Sequence, residues 1–218
     1  MREVVFDLET TGIGTPLHRI VEIGCVELEH RIPTGNALHF WFNPDRFIPG
    51  EVFAIHGLSD YFLADKAHFA DHAGEILGFL GGAVVAHNAE FDVRHLNAEL
   101  ARAGWPPLAA KVTDTLVLAR RKWPGQPNNL DACCARLKIS TVERGLHGAM
   151  LDAGLCAEVY LALTGGRQAA MNVEQGARET VAVTRAPRAA RPHEPSPEEA
   201  LAHEKFLDEK IKGPIWRA

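Results

Sequence analysis

Two carboxylates two residues apart, Asp7 and Glu9, close the apolar run Val4-Val5-Phe6-Asp7-Leu8-Glu9 just before Thr10-Thr11-Gly12. Side chains of a strand alternate between faces, so Asp7 and Glu9 share one. Like charges held side by side at the end of an apolar strand repel and resist desolvation, and a divalent cation between them is the simplest counterweight. The following turn adds hydroxyls, backbone donors and a permissive glycine where a polar substrate can approach. An isolated D-x-E more often faces water, so the reading depends on what the rest of the chain adds.

It adds three groups of the right chemistry. Ala83-Val84-Val85-Ala86-His87 reads as a short buried strand, and Asn88 as the cap of a helix carrying Phe91, Asp92, His95, Leu96 and Leu100. In that helix's first turn Asp92 gains from the positive end of the macrodipole, and at a strand-to-helix junction it is also placed to be a third metal ligand. Leu146 to Tyr160 has the apolar pattern of a helix, with His147 just ahead of it and Asp152 inside it. On one continuous helix these two side chains would point about 140° apart, whereas a histidine in the preceding loop can turn toward the same site. An imidazole beside a metal carboxylate titrates in the range needed to take a proton from water near pH 7. Between these groups, residues 48–58 read as short irregular structure in which Glu51 and His56 are the polar side chains able to face a ligand.

The elements that must position these groups follow from periodicity and turn chemistry. Residues 19–28 and 37–44 read as strands that continue a meander from the first, with Pro33-Thr34-Gly35-Asn36 as the turn between them. Ile76, Leu77 and Leu80 have helical spacing over 73–80, and Gly81-Gly82 stops that helix. Residues 112–119 read as a strand end leading into a helix, and 128–137 as the start of another, with Asp114 and Asp131 as structural residues at the helix starts. Arg120-Arg121-Lys122 reads as a solvated basic face.

Composition excludes several classes. With 218 residues, 46% apolar and 23% charged, the chain is ordinary for a globular protein with one core and an appendage. No apolar run approaches the roughly 18 residues of a membrane span and no signal-peptide pattern opens the chain, so a cytoplasmic location is expected. Cys25, Cys133, Cys134 and Cys156 lie in apolar segments without C-x-x-C spacing, which argues for small core residues over a disulfide framework or zinc site. Net charge is −5, unevenly spread: residues 1–165 hold 14 basic and 20 acidic side chains, a balance of −6, and residues 166–218 hold 9 and 8, a balance of +1. A nucleic-acid binder with so acidic a body needs cations on its clustered carboxylates.

The three motifs together carry a resemblance. F-D-L-E-T-T-G at 6–12, A-H-N-A-E-F-D at 86–92 and L-H-G-A-M-L-D-A at 146–153 match in order, spacing and residue type the motifs of the 3′→5′ exonucleases named for four acidic residues and a histidine. D-T-L-V-L-A-R-R-K-W-P-G, N-N-L-D-A and A-E-V-Y-L-A-L-T-G-G are further similar to the proofreading epsilon subunits of bacterial DNA polymerase III, over residues 1–166 and again at the C-terminus. The resemblance implies an α/β, ribonuclease-H-like mixed sheet flanked by helices, with a flexible linker and a C-terminal helical tail. It implies that Asp7, Glu9, Asp92 and Asp152 hold two divalent ions, Mg²⁺ or Mn²⁺, and that His147 is the general base. It also implies that Asp7, Glu9, Thr10, Glu51, His56, Phe91 and Asp152 meet the terminal nucleotide of a single-stranded or frayed DNA 3′ end. Two metals roughly 4 Å apart activate the attacking water and stabilise the leaving oxygen in such sites.

Residues 167–195, rich in Ala, Arg and Pro without an apolar period, read as a flexible and mildly basic linker. At its start Gln168-Ala169-Ala170-Met171-Asn172-Val173 resembles an internal sliding-clamp motif, lacking the small polar residue and final aromatic of a strong one. Ser196-Pro197-Glu198-Glu199 fits a capped helix start, and Leu201, Phe206, Leu207 and Ile211 give that helix an apolar face requiring a partner. By resemblance the partner of 196–218, including Trp216, is the polymerase catalytic subunit. Binding of a small accessory subunit to the exonuclease domain, residues 1–166, stays open. Two other readings stand beside this one: an RNA-trimming exonuclease of the same superfamily, which has no need of the tail, and a non-catalytic replisome adaptor, which has no need of five convergent polar groups.

Overall fold

The computed structural model describes residues 1–141, 146–165 and 195–210. Residues 1–176 and 177–218 form two units. The first is built on a five-stranded mixed sheet in the order β3-β2-β1-β4-β5. Its strands are β1 (Arg2–Thr10), β2 (Ile20–Glu29), β3 (Ile32–Trp41), β4 (Ala83–Ala86) and β5 (Lys111–Asp114). β1 pairs antiparallel with β2 and parallel with β4, and β4 pairs parallel with β5. The carboxyl ends of β1, β4 and β5 therefore lie along one edge of the sheet, where open α/β sheets form their sites.

Helices cover both faces. α3 (Phe69–Leu80) and α4 (Ala89–Arg102) enclose one core with Val4, Phe6 and Leu8 of β1, together with Ile23, Phe42, Ile76, Leu80 and Leu96. α5 (Thr115–Lys122), α6 (Leu130–Leu137) and α7 (Ala149–Leu163) enclose the other with Val5, Val85, Ala119, Cys133, Cys134, Cys156 and Val159. Each fully buried Phe, Leu or Ile contributes roughly 1.5–3 kcal/mol by leaving water. Because Val5 faces α7, the alternation of β1 turns Asp7 and Glu9 toward α7 as well. All four cysteines are buried and free, as their apolar surroundings predict. Between β3 and α3 stand two short helices, α1 (Gly50–His56) and α2 (Asp60–Leu63).

Three local expectations are corrected. The β2–β3 turn is at His30-Arg31, where both residues take positive φ (50° and 63°), rather than at Pro33–Asn36. That is the backbone of a tight two-residue hairpin. Pro33 to Asn36 instead form the exposed start of β3, and its edge position tolerates a proline that has no N–H to donate. Residues 50–56, read as irregular, are helical and end at Gly57 in the left-handed conformation (φ 71°). Asn88 occupies the N-cap position of α4, but its own backbone is left-handed (φ 68°) and its side chain makes no cap hydrogen bond.

One close approach decides where α7 lies. Gly24 of β2 is directly across from Asp7 of β1, so the two positions share a face. A Cβ at Gly24 would fall 2.3 Å from the Met150 backbone nitrogen and 2.4 Å from the Ala149 carbonyl carbon. The missing side chain is what lets the first turn of α7 sit on the sheet beside Asp7. Backbone cannot swing aside as a flexible side chain can. Gly24→Ala is therefore expected to push the start of α7 outward and lower stability by about 1–3 kcal/mol, as overpacking typically does, measured as a drop in the urea midpoint; an unchanged midpoint would mean that α7 is free to shift.

The second unit contributes α8 (Pro197–Lys210). The Ser196 hydroxyl accepts from the Glu199 N–H at 3.2 Å and the Glu199 carboxylate accepts from the Ser196 N–H at 2.9 Å, the reciprocal cap that the sequence predicts. Leu201 and Phe206 are exposed and Leu207 is buried. The clamp-like segment 168–173, the linker up to residue 194, Ile211 and Trp216 lie outside the described residues.

Candidate active site

β1 delivers Asp7 and Glu9 to the carboxyl edge of the sheet, both half-buried. Asp92 arrives in the first turn of α4, almost fully buried at 3% exposure. Asp152 arrives in the first turn of α7, also buried. His147, in the loop ahead of α7, has its backbone N–H bonded to the Ile55 carbonyl of α1 at 3.0 Å. That contact turns the loop back over the sheet, and the imidazole Nδ1 comes to 3.1 Å from Asp152 Oδ2. The helical phase that would separate the two side chains is thus bypassed, as the loop position of His147 allows. One ligand atom from each of Glu9, His147 and Asp152 lies within 4.8 Å of the others, close enough to share a cation.

Electrostatics describe the same convergence. The Asp7 carboxyl is pushed well above the ordinary carboxylate range, first by burial and then by the charges of Asp92, Glu9, Asp152 and Glu22. Burial likewise raises Asp92, opposed by backbone N–H groups of Asp92 and Leu8 and reinforced by Glu9 and Asp114. Buried carboxylates that face one another behave in this way. The hard oxygens of these carboxylates suit a divalent ion such as Mg²⁺ or Mn²⁺.

Two ties hold the frame. Arg19 donates to Glu99 of α4 at 2.5 and 3.1 Å, and the Thr11 N–H bonds the Arg19 carbonyl at 2.9 Å. The turn after β1 is so fastened to the helix that carries Asp92. Within that turn the buried Thr10 hydroxyl donates to the Gly12 carbonyl at 2.8 Å, so its first role is to shape the loop. His56, at the end of α1, is buried; its Nδ1 accepts from the Leu58 N–H at 3.0 Å, and burial holds its pKa below the usual imidazole value. Phe91 is half-buried with its ring 4.2 Å from His95, and Glu51 is exposed on α1.

The sequence reading passed over Glu22. It is directly across from Glu9 in the β1–β2 register, buried, and 2.6 Å from His39 Nε2. An acid inside the apolar run Ile20-Val21-Glu22-Ile23 was the available signal, but only the register shows which carboxylate it faces.

Comparison with known proteins gives a consistent result. A family model described as "Exonuclease" matches residues 4–160. DNA polymerase III subunit epsilon of Salmonella typhimurium is 43% identical over an alignment of 237 residues, covering 100% of this chain and 98% of that one. The epsilon subunits of Escherichia coli and Rickettsia felis are 42% and 41% identical, each over 98% of their own length. Among solved structures, exonuclease X in complex with 5′ overhanging duplex DNA superposes with a TM-score of 0.59 at 28% identity, over 74% of this chain and 90% of that one. Exonuclease I superposes with a TM-score of 0.65 at 18% identity, over 75% of this chain and 40% of that one, a likeness of fold.

The raised carboxyls set a pH dependence whose sign is fixed. A carboxyl whose folded pKa exceeds its unfolded value adds stability below about pH 4, and that stability is lost as pH rises toward the folded value. Relative to Asp7→Asn, the metal-free protein is expected to lose melting temperature from pH 4 to 8. Millimolar Mg²⁺ or Mn²⁺ should restore it more at pH 8 than at pH 5, by about 2.7 kcal/mol at a hundredfold excess over Kd. Thermal melts with EDTA and with added metal decide this; a metal-independent melting point at pH 8 would refute it.

Proposed function

The chain belongs to the exonuclease family and, within it, to the DNA polymerase III epsilon subunits; from that premise we propose that it removes mispaired nucleotides from a DNA 3′ end, releasing nucleoside monophosphates. The single observation that carries the chemistry is the convergence of Glu9, His147 and Asp152 within 4.8 Å, beside Asp7 and Asp92, two carboxyls raised first by burial and further by the charge of neighbouring acids. Asp7, Glu9, Asp92 and Asp152 would hold two divalent ions, Mg²⁺ or Mn²⁺. When bound, such ions polarise the phosphodiester and make water acidic enough to attack near neutral pH.

The protein's own groups do the rest. With its Nδ1 proton donated to Asp152, the His147 imidazole is in the tautomer whose Nε2 accepts a proton from the attacking water. Asp152 orients that ring as it would in any base-and-orienter pair. Thr10, Glu51, His56 and Phe91 hold the terminal nucleotide, with the Phe91 ring against a base and the neutral His56 as a hydrogen-bonding partner. Contacts to phosphate and sugar carry little base readout. Selection for errors then comes from the terminus itself, since a mispaired end unstacks at lower cost and reaches the site as single strand.

The tail extends the reading to assembly. α8 is a capped helix with Leu201 and Phe206 exposed, apolar surface that a larger subunit can cover, and we assign residues 196–218 to the polymerase catalytic subunit. Gln168–Val173 would give a weak contact with the sliding clamp, and a small accessory subunit would bind the nuclease domain. Among the described residues no helix is long and apolar enough to cross a membrane. We assign the protein to the cytoplasm, where the replicative polymerase works.

Incubating a 3′-labelled DNA oligonucleotide and its RNA equivalent with Mg²⁺ tests the chemistry. Mononucleotides should be released from DNA, EDTA should abolish release, and Asp7→Ala should lower kcat by about a hundred- to a thousandfold, the scale of losing a principal electrostatic group. A strong preference for RNA would replace the proofreading reading with RNA trimming. Deleting 196–218 should abolish co-purification with the polymerase subunit and leave the nuclease rate within about twofold; loss of both would refute the division of labour.

A further inference from the structure

We propose that a cavity at the carboxyl ends of β4 and β5 is a second nucleic-acid subsite, which takes an internal phosphodiester of the substrate strand with Arg120 as its cation. The inference rests on the exonuclease reading and deepens it.

The cavity holds about 780 Å³, and His87, Asn88, Arg120, Gln126, Asn128 and Asn129 are among its lining residues. Its floor is built rather than incidental. Buried Asn128 donates from Nδ2 to the Trp123 and Gln126 carbonyls at 3.1 and 2.8 Å, while its Oδ1 accepts from Arg136. The Asn128 carbonyl in turn lies 3.0 Å from His87 Nε2, and His87 Nδ1 lies 2.8 Å from the Thr115 hydroxyl. This network fixes the 123–129 loop against the end of β4.

The groups that remain for a ligand are donors. Asn88 is exposed, and its side chain is not used to cap α4. Asn129 accepts from the Ala132 N–H through Oδ1, which leaves its Nδ2 hydrogens to point elsewhere. Asp114, the acid at the end of β5, has Oδ1 accepting from both the Asn88 and Leu116 N–H groups. Of the neighbouring cations, Lys122 and Arg136 lie over the Trp123 ring, and Arg136 also donates to the Pro127 carbonyl. The Arg120 guanidinium, exposed at the rim, makes no hydrogen bond or ion pair with another described residue. An arginine beside several amide donors, in a body whose balance is −6, matches an anion of phosphate geometry.

Topology says which anion. β1, β4 and β5 run parallel in adjacent positions, so two strand spacings, about 10 Å, separate the end of β5 from the end of β1. That distance is the reach of a few nucleotides of single strand. A strand whose 3′ end lies at Asp7 and Glu9, and which follows the carboxyl edge of the sheet, presents its upstream phosphates to this cavity.

Hydrolysis of single-stranded oligonucleotides of two and twelve nucleotides by the full chain and by Arg120→Gln tests the proposal. The exposed position tolerates glutamine, so folding is preserved. The expected result is that kcat/KM on the twelve-mer falls about fivefold through KM, and falls much less on the dinucleotide, which cannot reach the cavity. The slope of log KM against log salt should shrink by about 0.7, one phosphate contact on a single strand, and Arg120→Lys should recover most of the loss. Equal falls on both lengths would make Arg120 a structural residue, and no fall on either would leave the cavity without this ligand; both outcomes overturn the subsite. A wild-type protein inactive on both lengths would overturn the exonuclease reading itself, and the subsite with it.

Discussion

Mutual repulsion among carboxylates is the constraint around which this fold is arranged. Asp7, Glu9, Asp92 and Asp152, with Glu22 behind them, meet at one end of the sheet, and the charge of each raises the cost of ionising Asp7. No local preference would gather them, so the packing must do so against their repulsion. Two helices are held in place for the purpose. α7 reaches Asp7 because position 24 has no side chain, and α4 is fastened to the turn after β1 by Arg19 and the buried Glu99. Hydrophobic burial on both faces of the sheet supplies the free energy that keeps both helices there. Carboxylates crowded in this way favour whatever neutralises them, a proton at low pH or a divalent cation near neutrality.

The same arrangement explains how the base is aimed. His147 belongs to no regular element, and a backbone bond to Ile55 and a side-chain contact with Asp152 help to set its position. A loop histidine can adopt the orientation that a helical one could not, five residues before its partner. The cost is that its geometry depends on α1, a short helix across the site. His56 ends that same helix, so the group assigned to the nucleotide and the loop that carries the base share one support.

What was legible in the sequence was what depends on local chemistry. The D-x-E pair, the reciprocal cap at Ser196 and Glu199, the side-chain cap at Asp114, and the helical pattern of α7 each follow from residue types a few positions apart, and the structure contains them. The mixed sheet flanked by helices was legible too, through the resemblance of three concordant motifs. What was misread depends on pairing at longer range. Pro33-Thr34-Gly35-Asn36 has turn chemistry, but the register with β2 draws it into an edge strand and moves the turn to His30-Arg31, two residues with no turn signature. Glu22 has an ordinary place in an apolar run until β1 is laid beside it and Glu9 becomes its neighbour. Asn88 has the residue type of a helix cap, but its backbone is left-handed and its side chain makes no cap hydrogen bond.

An acidic protein that acts on an anionic polymer has to separate the tasks of holding charge and of meeting it. Here the carboxylates cluster at the end of β1, where a multivalent cation can convert a repulsive pocket into an attractive one. Beyond the reach of that cation the strand would still meet a body of negative balance, and long-range attraction is not available to steer it. Short-range donors fixed in geometry are the remaining means, and the amides and guanidinium beyond β4 are of that kind. Such contacts act on a strand already engaged at its end, so they favour retention over capture. For an enzyme that must receive a frayed terminus from a neighbouring polymerase, weak capture is consistent with the role: supply of the strand falls to the assembly, and a stronger basic surface would compete for paired ends that ought to be left alone.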